Sequence, residues 1–176
     1  MRQVSLCNSS TGFTLLEVIM ATFLIVLAAG GVFTLISRTV SFGATTSNQF
    51  VASYLAQEGV EIVRNIRDGN FLRVHKGVTG ANWKDGIDVP SGLCSGGCKA
   101  DYNDSALNPV GASDQLLRSG VLWSYDSGTP TLFRRNITVS NVTATKLLAT
   151  VEVSWEERGN TRKVTAVSEL YNWLTP

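Results

Sequence analysis

The sequence predicts an α+β protein in which one long N-terminal helix packs against an antiparallel β-sheet of about four strands. Three patterns in its 176 residues predict this. Phe13 to Ile36 is an apolar run with no Lys, Arg, Asp, Asn, Gln or Pro. Between Ala52 and Ile66 apolar residues recur at steps of three and four, the spacing of one helical face. Further on, Val151, Val153 and Trp155 alternate with Glu152, Ser154 and Glu156, as a half-buried strand requires.

The apolar run comes first. As a helix rising about 1.5 Å per residue it is about 36 Å long, enough to cross the roughly 30 Å hydrocarbon core of a bilayer. A cleaved secretory signal has a shorter apolar core, about 7 to 15 residues, followed by polar sequence, whereas here the helical pattern continues. A lipoprotein cysteine follows its apolar run, and Cys7 precedes this one. Orientation is weakly signalled, because Arg2 and the starting amine face only Arg38 on the far side. Gly30 and Gly31 lower helix propensity within the run and offer a place for bending or close helix contact. Glu17 is the anomaly: a carboxylate costs about 2.5 to 3.5 kcal/mol at mid-span, less near an end. No cation lies between Arg2 and Arg38, so its partner has to come from outside the segment.

The amphipathic continuation carries Ala52, Leu55, Ala56, Gly59, Ile62, Val63 and Ile66 on one side. Ser53, Gln57, Glu58, Glu61, Arg64, Asn65 and Asp68 form the other, with Glu61 and Arg64 spaced to pair weakly. Asp68, Gly69 and Asn70 are suited to a helix stop. The reading is therefore a helix over 13–68, about 80 Å long, with 13–36 transmembrane and 37–68 amphipathic, the second half covered by the sheet.

The stretch Gly12, Phe13, Thr14, Leu15, Leu16, Glu17, Val18 resembles the cleavage and methylation signature of type IV prepilins and type II secretion pseudopilins. The words YLAQEGVEIVRNIRD, Tyr54 to Asp68, are similar to the corresponding helix of PilV-type minor pilins. The resemblance implies a pilin fold and a leader, 1–12, removed by a prepilin peptidase that cuts after Gly12 and methylates the new amine of Phe13. It implies that Glu17 sets assembly register by meeting the Phe13 amine of a neighbouring subunit. An α-amine, with a reference pKa of about 7.7 to 8.0, is largely cationic at neutral pH and suits that role. The implied partners are other pilin or pseudopilin subunits, the peptidase/methyltransferase and an inner-membrane assembly platform. The implied location is the inner membrane, single-pass, with the C-terminal domain outside the cytoplasm, and then a filament at the cell surface. A type IV pilus, a type II secretion pseudopilus and a DNA-uptake filament share these features. In two respects the sequence departs from the family: Thr11 stands where a basic residue commonly precedes the glycine, and the first proline is Pro90. An unprocessed, membrane-anchored adhesin or binding domain is the alternative reading.

The remainder, 69–176, reads as a domain outside the membrane. Its first part, 69–120, is rich in Gly, Asn, Asp and Ser and reads as a loop region. Strands are expected at Val121 to Tyr125, Thr131 to Val139, Leu147 to Glu156 and Arg162 to Trp173, with a hairpin turn at Arg158, Gly159 and Asn160. Cys94 and Cys98 flank Ser-Gly-Gly and either close a small disulfide loop or stay as separate thiols, which geometry decides. Removal of Cys7 with the leader leaves them as an even pair in a disulfide-permissive compartment.

Asp101 to Ser105, DYNDS, is oxygen-rich, but Ala106 and Ala112 stand where a calcium loop needs glycine and glutamate, so a turn is expected. Two cysteines and His75 do not make a zinc site. Asn136 and Asn141 open Asn-x-Thr triplets, glycosylation acceptors only in a suitable host. No nucleophile elbow, H-E-x-x-H or phosphate-cradling loop is present, so neither an enzyme nor a cofactor is expected. A net charge of +1 with 16% charged residues gives no basic field of the kind that holds nucleic acid.

Overall fold

The structure, a computed structural model, describes residues 12–89, 94, 96–111 and 114–173. Residues 1–11 of the expected leader, Cys7 included, lie outside the described residues. The chain divides into two compact units, Met1–Ala44 and Thr45–Pro176. Helix α1, Leu15–His75, runs through the boundary. After it come β1 (Cys98–Lys99), β2 (Asn108–Pro109), β3 (Leu117–Ser119), β4 (Leu122–Ser124), β5 (Thr129–Pro130), β6 (Arg134–Thr143), β7 (Lys146–Glu157) and β8 (Asn160–Tyr171).

In the second unit α1 packs on an antiparallel sheet of five strands, ordered β2-β1-β6-β7-β8, beside a smaller sheet ordered β4-β3-β5. The α+β class is as the sequence predicts. The strand count differs, because the stretch expected at Val121 to Tyr125 pairs as β4 with β3 in the small sheet and does not extend the main one. Its place there is taken by β1 and β2, two-residue strands inside the region read as loop. Strands that short carry no periodicity for a sequence reading to detect.

Helix α1 also runs past the expected stop at Asp68, to His75. Gly69 weakens the helix locally, but tertiary contacts carry it onward. Buried Asn70 donates through Nδ2 to the carbonyls of Trp83 (3.3 Å) and Asp85 (2.6 Å). Phe71, also buried, stacks on Trp83 at 6.2 Å. The stop comes at Gly77, whose φ of 71° closes a Schellman motif: its N–H donates to Val74 and that of Val78 to Arg73.

The core follows the two periods. On α1, Ala52, Leu55, Ala56, Val63 and Ile66 are buried. On β7 every second residue from Leu147 through Trp155 is buried while the intervening ones are half-exposed. Helix and sheet approach closely at Gly59, where an added Cβ would stand 2.7 Å from Val151 Cγ1 and 3.0 Å from Arg135 Cδ. The β7–β8 hairpin turns through Arg158 (φ 53°) and Gly159 (φ 75°), closing on the pair Glu157–Asn160, a two-residue turn whose positive φ angles match the strand twist.

The two cysteines are bonded. Cys94 and Cys98 form a disulfide with Cα atoms 5.2 Å apart, and Cys98 sits in β1 opposite Ile137 of β6. A loop this short is worth about 2 kcal/mol by chain-entropy reasoning. The double variant Cys94→Ser/Cys98→Ser is expected to unfold in urea with ΔG lower by about that amount and an unchanged m-value. An unchanged midpoint would show that the bond contributes no stability.

Candidate functional site

Residues 12–44 contain the sequence-predicted site. Every described side chain among them is exposed, and α1 is long and apolar enough to cross a membrane by length and composition. Phe13 is 82% exposed, and Leu15, Phe33, Val40 and Phe42 are each at least 70% exposed. In water that surface is strongly unfavourable, at about 25 cal/mol per Å², so it belongs against lipid or protein.

At the head of this segment the backbone changes character. Gly12, Phe13 and Thr14 are not helical, and the helix begins at Leu15. Thr14 is the N-cap: its Oγ1 accepts the Glu17 N–H at 3.3 Å, and its carbonyl accepts from Glu17 (3.1 Å) and Val18 (3.2 Å). Thr-Leu-Leu-Glu thus has the spacing of a capping box, with the carboxylate in the first turn, where the helix dipole favours negative charge. The sequence reading missed this role, although the T-x-x-E spacing before an apolar run is a recognised start signal. Glu17 itself is exposed and makes no ion pair among the described residues.

The second unit holds a buried polar cluster that the sequence reading did not foresee. The Arg135 side chain, on β6, is 0% exposed. Its Nη2 donates to Ala100 O at 2.9 Å, its Nη1 donates to Leu55 O of α1 at 3.4 Å, and Glu58 Oε2 lies 3.5 Å from Nη1. The Tyr125 ring lies 5.9 Å from the guanidinium, and its hydroxyl donates to the Arg135 carbonyl at 2.9 Å. Buried Asp101 accepts the Tyr125 N–H on both carboxylate oxygens, at 3.1 and 2.9 Å. One guanidinium thereby ties α1, β6 and the Ala100 loop, and Asp101 adds the small sheet.

Burial pushes the Glu58 carboxyl above the usual range, against the opposing pull of Arg135. Burial also raises Asp101, partly offset by the Tyr125 N–H, with Asp126 and Asp104 adding to the rise. The Tyr125 phenol is raised, again chiefly by burial.

Other candidates are placed as follows. Asp101 to Ser105 is a turn, with Asp104 Oδ2 accepting the Asp101 N–H at 2.8 Å. Its two aspartates thus serve backbone donors. Among the described residues no three His, Cys, Asp or Glu side chains gather as a metal would need. His75 is the last residue of α1. The side-chain amide of Asn136 donates to Gly96 O at 3.1 Å, and that of Asn141 to Asp88 at 2.8 Å. A groove of about 480 Å³ is lined by Asn65, Gly69, Arg73, Asp85, Asp104 and Ser105. Set against family models, curated proteins and solved structures, the chain matches none of them.

Proposed function

We propose that this chain is a minor pilin-like structural subunit, stored in the inner membrane and assembled through its N-terminal helix into a type IV pilus or a related filament. One observation carries the reading: a Gly-Phe junction directly before α1 and, at fixed spacing, a carboxylate in its first turn head an apolar segment whose described side chains through residue 44 are all exposed. On this reading the fold is a pilin fold. A prepilin peptidase cuts after Gly12 and methylates Phe13, and the platform that extracts the subunit lies in the same membrane. Glu17, without an ion-pair partner among the described residues, takes the Phe13 amine of an adjacent copy as its counter-ion. In a low-dielectric helix bundle such a pair fixes register more than it adds stability. Each subunit offers one surface and accepts on another, a heterologous contact that builds an open filament when its rotation does not close.

The experiment is mass spectrometry of the protein from its host. A chain beginning with methylated Phe13 is expected; an intact Met1 in assembled material would overturn the reading. The Thr14–Glu17 cap favours one other reading, an unprocessed anchor carrying an adhesin or binding domain. There Glu17 would be accounted for by helix capping near the interface, with no second chain. A secretion pseudopilus uses the same segment in the same way.

A further inference from the structure

Helix α1 starts at Leu15 because Thr14 caps it, and this leaves Gly12 and Phe13 outside the helix with both residues exposed. From this we infer that Thr14 is a positioning residue for proteolysis: its hydroxyl fixes the first helical turn just beyond the Gly12–Phe13 bond and keeps that bond extended for the peptidase. The inference rests on the proposed processing after Gly12.

In the step itself, water adds across the Gly12–Phe13 amide. The C–N bond breaks, water's hydroxyl goes to the Gly12 carbonyl carbon, and its other hydrogen goes to the nitrogen, which stays on Phe13 as the new amine. A peptidase has to reach both faces of that amide, which an intrahelical peptide unit conceals by bonding its carbonyl to the next turn.

The sequence leaves few other places for the helix to start. From Leu15 to Ala21 there is no Ser, Thr, Asp, Asn or Gly, the residues that cap well. The nearest capping residues are Gly12 and Thr11 upstream and Thr22 downstream. Starting at Thr22 sacrifices two turns of apolar helix whose backbone would then lie unpaired in hydrocarbon, at several kcal/mol per group. Without the Thr14 hydroxyl the start therefore moves upstream, and either upstream cap draws Phe13 into the first turn. The scissile bond is then at the cap or inside the helix.

Three variants separate capping from direct recognition of the side chain. Thr14→Val keeps the shape and loses the oxygen; Thr14→Ser and Thr14→Asn change the shape and keep a capping acceptor. Full-length chain is reconstituted in phospholipid vesicles with a prepilin peptidase, and cleavage after Gly12 is followed by mass spectrometry, with membrane insertion measured in parallel. The expected result is cleavage about fivefold slower for Thr14→Val, near-wild-type rates for Ser and Asn, and equal insertion of all four chains. Equal rates for wild type and Thr14→Val would overturn the inference. So would equal slowing of all three variants, which assigns the effect to a subsite reading threonine itself. Failure of the wild-type chain to be cut at Gly12 removes the processing reading instead, a distinct result.

Discussion

Arg135→Ala is expected to lower stability by about 3 kcal/mol, and the Tm of the folded unit by about 10 °C. The substitution removes the guanidinium's bonds to the Ala100 and Leu55 carbonyls, and leaves a space the size of its side chain between α1, β6 and Tyr125. Breaking a buried pair from one side ordinarily costs about 3 to 5 kcal/mol. The lower end applies because Glu58, 34% exposed, regains some water. The pH dependence has a definite sign. A carboxyl whose folded pKa is raised binds protons more readily folded than unfolded, so its contribution is fully present below the unfolded value and is lost as pH rises through the folded one. Arg135 opposes the rise at Glu58, and its removal lifts that carboxyl further. The deficit of the variant should therefore shrink as pH falls from neutral toward the ordinary carboxylate range, where Glu58 takes up its proton. Urea titrations of both proteins at a series of pH values test this. A deficit that grows on acidification would mean that the Glu58 charge is not what the arginine compensates.

Glu17→Val should leave membrane insertion intact, or improve it, while lowering incorporation into filaments at least about a hundredfold. The valine removes the insertion cost of a carboxylate near the membrane end and deletes one partner of the proposed intersubunit pair, for which about 3 kcal/mol or more is expected once that pair is buried in a filament. Valine also deletes the acidic member of the capping box, so Glu17→Gln is the necessary companion. Glutamine serves at that position of the box but carries no charge. Loss of incorporation by both variants assigns the role to charge across a subunit contact. Normal incorporation by Glu17→Gln would assign it to the cap and remove the ion pair from the account. Quantitative immunoblotting of sheared filaments against membrane fractions gives the ratio directly.

The parts of this fold that repeat are legible in the sequence. The apolar run, Glu17 apart, is uniform over its whole length, and the three-four stripe of Ala52 to Ile66 and the two-residue alternation of β7 each express a period over several turns or pleats. What is not legible depends on contacts distant in the chain. Asn70 looks like a helix stop until its amide is seen bridging Trp83 and Asp85. Strands β1 and β2 exist because β6 and the disulfide hold them. Arg135 is a subtler case. It shares parity with Phe133, Ile137 and Val139, and alternates with Arg134, Asn136 and Thr138, so the period places it on the inner face. Residue type hides it, since charged side chains seldom lie fully buried unless paired. Glu17 stands out at once for its cost, while the cheaper explanation three residues earlier, the Thr14 hydroxyl, is easily passed over.

The notch at Gly59 also bears on how the molecule carries mechanical load. Val151 of β7, an inner strand held between β6 and β8, fits against α1 only where a side chain is missing. Sliding the helix by one turn in either direction would bring Leu55 or Val63 onto that methyl group, into space already filled. A pull along the part of α1 that packs on the sheet is therefore met by interlocking and not by slip. The force passes into a strand bonded on both flanks, so the hydrogen-bond ladder bears it in parallel and yields only when the sheet does.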